Sequence, residues 1–148
     1  MNTAHNEHCI DACNRLLRGE ISAIETYTQA IYKFSSEPVV ALLEGMRHEH
    51  IISANRLREN VREMEGTPSN DSGAWGVWAM AVEGAAKLMG NAAALKALQE
   101  GEEHGEKEYE EALEDDQVLP GCKEMIRTEL LPRQRRHIAT LRGLAKAQ

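Results

Sequence analysis

The stretch RGEISAIETYTQAI, residues 18–31, holds apolar side chains at helical spacing, and one carboxylate, Glu20, stands on the stripe they draw. Extended in both directions, positions 10, 13, 17, 20, 24, 27, 31 and 34 read Ile, Cys, Leu, Glu, Ile, Tyr, Ile and Phe. Steps alternating between three and four trace the buried seam of a helix. The seam is apolar except where the glutamate interrupts it.

The same reading repeats along the chain. Positions 39, 43, 46, 50, 53, 57 and 61 read Val, Leu, Met, His, Ser, Leu and Val, with His50 as the break. Positions 95, 98, 102, 105, 109 and 112 are interrupted by Glu102, and positions 126, 130, 134, 137, 141 and 144 by Gln134 and His137. Four seams therefore carry one inward ionisable residue each, in the order Glu, His, Glu, His.

The breakers fix the element order. Helix one is expected from about Thr3 to Phe34, where SSEP turns the chain, with Ser36 as N-cap and Pro38 in the first turn. Helix two follows to about Glu65, and GTPSNDSG at 66–73 is a loop. A shorter helix, Ala74 to Met89, precedes helix three from Asn91 to Glu114; DDQVLPG then turns the chain into helix four. Short links after helices one and three imply two antiparallel hairpins, and the long middle connection can travel the length of the molecule. The expectation is one all-α domain over residues 1–148, a four-helix bundle whose crossover carries a short helix.

Repeats support a doubled hairpin. GEISAIETYTQAI from Gly19 aligns with GEEHGEKEYEEAL from Gly101, and HIISANRL from His50 aligns with HIATLRGL from His137. Counted from the turn near Ser36, Glu20 and His50 fall at about the same height, some 3 Å apart. The second pair is offset by roughly 7–8 Å on the same count. Pro132 is expected to kink or bulge the last helix before His137.

A carboxylate in a core must be neutralised, paired or metal-bound. Glu20, His50, Glu102 and His137 could do this around a divalent transition metal such as iron, zinc or manganese, or as two Glu–His pairs without metal. Tyr27 and Tyr109, seven residues beyond each glutamate, read as core aromatics able to donate a phenolic hydrogen bond.

The formal charge of −7 leaves no basic face for nucleic acid or an anionic membrane. The acid concentrates between Glu100 and Asp116 and is expected to pair with the arginines of helix four. No secretory signal opens the chain, and AWGVWAMAVEGAAKLMG is broken by Glu83 and Lys87, so a cytoplasmic protein is expected. Three cysteines give no disulfide framework; Cys9 and Cys13 read as helical core, and His5 and His8 as part of the N-terminal arm. Trp75 and Trp78 read as core or as a contact of a homodimer.

The segments LLRGEISAIETY, GAWGVWAMAVEGAAKLMG, ALQEGEEHGEKEYEEAL and LLPRQRRHIATL resemble a family of small bacterial four-helix proteins of unassigned function. GEISAIETY is also similar to the first helix of rubrerythrin, in the ferritin-like superfamily. That resemblance implies a bundle in which each half supplies one Glu and one Glu-x-x-His to a di-iron centre, with iron or oxidative-stress chemistry. It assigns the lone glutamates to Glu20 and Glu102 and the histidines to His50 and His137. The Glu of each Glu-x-x-His is Arg47 in RHEH and Gln134 in QRRH, which removes the bridging carboxylates. Glu106, Glu49 and His104 are the available substitutes, each expected at the surface. Two readings follow: a mononuclear metal site, or a metal-free helical bundle whose relic centre is held by Arg47, Gln134 and the Glu–His pairs and which acts through association.

Overall fold

A computed structural model describes residues 3–147, with side chains from Asn6 onward, and among these residues there is no strand. The elements are α1 (Thr3–Ile31), α2 (Glu37–Glu63), a 3-10 turn (Gly73–Gly76), α3 (Val77–Met89), α4 (Asn91–Glu114) and α5 (Pro120–Met125). A π-turn (Ile126–Leu130) leads without a break in helical dihedrals into α6 (Leu131–Ala147). The fold is all-α, as the seams require. Helix one stops at Ile31 rather than Phe34, because Tyr32 and Lys33 turn back onto the carbonyls of Gln29 and Ala30. Ser36 is the N-cap of α2 in an extended conformation, with Pro38 in the first turn, although its hydroxyl makes no capping bond.

Cross-helix contacts fix the directions. Cys13 meets Asn60, Glu20 meets His50 and Tyr27 meets Met46, so α1 and α2 are antiparallel. Glu103 meets Arg142 and Glu110 meets Arg135, so α4 and α6 are antiparallel too. Between the two hairpins the chain climbs along α1. Asn14 holds Thr67 and Ser69, Arg18 holds Ser69, and the Ser22 hydroxyl donates to the Trp75 carbonyl. The acidic run on α4 finds its arginines as expected: Arg135 bonds Glu106 and Glu110, and Arg142 bonds Glu103. Exposed pairs of this kind stabilise by only about 0.2–1 kcal/mol each, so they fix register more than they hold the fold.

The holding force is apolar burial, and it comes in two bodies. One gathers Leu17, Leu57, Val61, Ile126 and Leu130; the other gathers Tyr27, Leu43, Trp78, Leu95 and Leu141. On every long helix the position separating the two bodies is a polar one: Glu20, His50, Glu102 and, on α6, Gln134 and His137. These five are buried, from 0% exposed at Glu102 to 5% at Gln134. Each polar group in such a layer must find a partner or cost a few kcal/mol.

The crossover is admitted by glycines. A Cβ on Gly101 would lie 1.9 Å from the Trp78 ring, and one on Gly19 would lie 3.3 Å from the Trp75 ring. The Gly-Glu pair that recurs in both hairpins thus has a cause: the glycine lets an indole of the crossover close over the helix beside the buried glutamate. Trp78 is buried and donates to the Ala97 carbonyl, while Trp75 is half-buried. The opposite face of α3 leaves Val77, Met80 and Leu88 exposed. No described helix is long and apolar enough to cross a membrane.

Candidate metal centre

The four residues singled out by the seams meet at one level. His50 sits between two glutamates, with Nδ1 2.5 Å from Glu20 Oε2 and Nε2 2.5 Å from Glu102 Oε1. His137 Nδ1 lies 3.2 Å from the other oxygen of Glu102. Its Nε2 lies 2.7 Å from Glu49 Oε1, a half-buried carboxylate that also faces Arg136 at 3.9 Å. Glu102 is therefore the middle of the layer, flanked by the two imidazoles, and an outer glutamate stands behind each ring.

The tyrosines complete it crosswise. Tyr27, from the helix of Glu20, donates to Glu102 Oε1 at 3.2 Å, and Tyr109, from the helix of Glu102, donates to Glu20 Oε1 at 2.5 Å. Each glutamate thus draws a phenol from the other hairpin, which ties the two halves together. Burial, and then the facing glutamate charge, hold both phenols well above their ordinary pKa, so they remain donors.

Charge in the layer follows from these contacts. Burial alone would strip the proton from His50, but the carboxylates of Glu102 and Glu20 outweigh it and raise the imidazole to about 10. Both of its nitrogens then carry hydrogen, and each donates to one glutamate. Burial would raise Glu102, yet the His50 charge and the His137 hydrogen bond dominate and bring it to about 2. The layer is a buried ion pair with nearly every lone pair engaged, which is the condition under which such a pair is tolerated.

Two expectations need correction. Arg47 does not enter the layer: its guanidinium is half-exposed and reaches Thr28 Oγ1 at 3.5 Å, so it pairs with neither Glu20 nor Glu102. A guanidinium at the edge of a helix keeps its solvation at little cost. Glu49, expected at the surface, instead backs His137. Gln134 is buried as the seam implied, but its amide donates to the backbone carbonyl of Glu102 at 2.9 Å. Gly105 makes room for it, since a Cβ there would lie 2.5 Å from Gln134 Nε2. Glu106 pairs with Arg135, and His104 with Glu108 and the Trp75 ring, both outside the layer. His8 bonds Asp115 at 2.8 Å, and the side chain of His5 lies outside the described residues.

The height offset of the second pair is also resolved. Pro132 has no N–H to donate, and the helix ahead of it widens into the π-turn, where Leu131 N–H reaches back to the Ile126 carbonyl. Side chains on a helix lean toward its N-terminus, so Glu102 leans away from the connecting turn while His137 leans back toward it. Both effects draw the pair together.

Ligand atoms of His50, Glu102 and His137 all lie within 4.8 Å of one another, so this buried group could hold a metal ion. Two imidazoles and one carboxylate form a donor set common to ferrous and zinc sites. Ligands at about 2.0–2.1 Å from an ion stand roughly 3 Å apart. The observed separations of 2.5 and 3.2 Å bracket that spacing. Arg47 and Gln134 bring no carboxylate to the group. A cavity of about 20 Å³ beside Glu20, His50, Tyr109 and Gln134 leaves room for about one water.

Residues 8–115 match the family described as Domain of unknown function (DUF2383), and the chain belongs to that family. Nothing matches among curated proteins, and nothing among solved structures.

Proposed function

We propose that the chain is a ferritin-like four-helix protein that holds one divalent ion, ferrous iron, on Glu102, His50 Nε2 and His137 Nδ1, and that it serves in iron or oxidant handling. One observation carries the reading. Each imidazole turns one nitrogen to Glu102 and the other to an outer carboxylate, Glu20 for His50 and Glu49 for His137. A carboxylate behind a histidine fixes the ring and raises its basicity, the usual arrangement around metal-binding histidines.

In this reading Glu102 is the anionic ligand, Glu20 and Glu49 orient the rings, and Tyr27 and Tyr109 steady the two buried glutamates. Ferrous iron bound there would supply one-electron chemistry toward oxygen or peroxide. Trp78, closing over Gly101, and the apolar bodies on either side keep bulk water from the layer. The two antiparallel hairpins and the crossover that climbs along α1 favour the ferritin-like arrangement.

The test is an anaerobic titration of chelator-treated protein with ferrous, manganous and zinc ions. One equivalent per chain is expected, with ferrous iron retained on gel filtration. Glu102→Gln should abolish retention, and Glu20→Gln should weaken it by about 10–100-fold, as loss of an orienting carboxylate does. Binding below a tenth of an equivalent (roughly), or binding indifferent to Glu102→Gln, would sink the proposal.

A further inference from the structure

Where α1 and α5 both begin, three sulfurs meet, one of them from far along the chain. Cys9 and Cys13 stand on successive turns of α1 and Cys122 comes to them from α5, all three sulfurs within 4.8 Å of one another. Cys13 Sγ and Cys122 Sγ are 3.1 Å apart, and no disulfide joins them. Cys9 and Cys13 are 0% exposed and Cys122 is 2% exposed.

Buried cysteines usually serve as small apolar side chains. Two contacts here exceed that role. The Asn60 amide donates to Cys13 Sγ at 3.1 Å, and the Leu119 backbone N–H donates to Cys9 Sγ at 3.4 Å. Donors aimed at sulfur favour sulfur that carries negative charge, as around metal thiolates.

We propose that Cys9, Cys13 and Cys122 form a second metal site, a three-coordinate thiolate site for one monovalent copper ion, separate from the Glu–His layer. Three thiolates suit a soft ion. Metal–sulfur bonds of about 2.3 Å in a trigonal plane place the sulfurs roughly 4 Å apart; all three lie within 4.8 Å of one another, and Cys13 and Cys122, now at 3.1 Å, would move apart to take an ion. The described residues bring together three thiolates, the number that a trigonal site uses. His8, next to Cys9, is engaged by Asp115 instead. Met64 and Met125 belong to the surrounding apolar body and keep the site dry. Leu119, in the turn between α4 and α5, lies against the site through its bond to Cys9. On binding, each copper–sulfur bond replaces a sulfur–hydrogen bond, the proton leaves to solvent, and neither copper nor sulfur changes oxidation state.

The test uses the full chain, reduced and kept anaerobic, titrated with cuprous ion against bicinchoninate. One copper per chain is expected, with sulfur-to-copper charge-transfer absorption and three sulfur neighbours by X-ray absorption. Cys13→Ala and Cys122→Ala should each weaken binding on the order of a hundredfold, with circular dichroism confirming that helicity is kept. Cys122→Ser, nearly isosteric, guards against a packing artefact and should weaken binding as Cys122→Ala does. Sulfur neighbours alone, with no nitrogen neighbour in the X-ray absorption data, separate this site from the Glu–His layer. The proposal is overturned by cuprous affinity equal in wild type and the cysteine variants. Zinc displacing copper at equal concentration, or thiol loss caused by a Cys13–Cys122 disulfide in place of copper binding, overturns it as well.

Discussion

Replacing His50 by glutamine removes the one cation between Glu20 and Glu102 while keeping an amide donor in its place. The imidazole stands at about 10 in the folded chain against an ordinary value near 6.5. A raised basic group stabilises fully below its unfolded pKa and loses that contribution as pH climbs through its folded value. At pH 7 the contribution is roughly 4 kcal/mol, and at pH 9.5 it is about 1 kcal/mol. Between these limits the folded chain holds one proton more than the unfolded chain, so stability falls by about 1.4 kcal/mol per pH unit from this group alone. The figure at pH 7 agrees with the roughly 3–5 kcal/mol lost when a buried pair is broken by removing one partner. Urea unfolding of chelator-treated protein, followed by helical circular dichroism across that range, gives the comparison directly. Wild type should exceed His50→Gln by roughly 4 kcal/mol at neutral pH, with the gap closing to about 1 kcal/mol at the alkaline end. Two curves that run parallel would mean that His50 is not a buried cation, and the charge assignment of the whole layer would fail with it.

Two further outcomes test neighbouring parts of the argument. Glu102 is depressed from 4.5 to about 2, so its contribution is present above pH 4.5 and is lost as pH falls through about 2; Glu102→Gln should flatten that acid limb in the same unfolding assay. Gly101→Ala puts a methyl 1.9 Å from the Trp78 ring, so it should cost about 1–3 kcal/mol by overpacking and shift tryptophan emission to the red as the indole is pushed outward.

What the sequence could disclose depended on whether a residue acts along its own helix or across to another. Glu20 and His50 were legible because both sit on seams and the tight turn at Ser36 sets their heights by counting. Glu102 and His137 were legible as types but not as neighbours, since a π-turn and the lean of the side chains are invisible to residue counting. Glu49 was named as a substitute but placed at the surface: it lies about 100° around the helix from His50, on the flank of the stripe, and its partner is on another hairpin. Arg47 misled for the opposite reason, because charge logic aimed it inward while a flexible stem let it stay near solvent. The cysteine cluster could not be read at all, as Cys13 and Cys122 are 109 positions apart and only the packing of α5 against α1 joins them.

The polar layer also explains how the centre holds together with Gln134 buried beside it and Arg47 outside it. Each hairpin brings a Gly-Glu, a tyrosine and a histidine, and strict symmetry between them would give the two glutamates equal places. They are not equal here. Glu102 faces both imidazoles, whereas Glu20 faces the outer nitrogen of one, and Glu49 fills the matching place behind the other. Symmetry broken in this way leaves one central position, where a proton on His50 Nε2 now stands toward Glu102. A cation at that position is what the two carboxylates flanking His50, Glu20 and Glu102, require, and one proton meets the requirement as a single metal ion would. That equivalence accounts for a layer that is fully hydrogen-bonded without metal and still arranged as a ligand set.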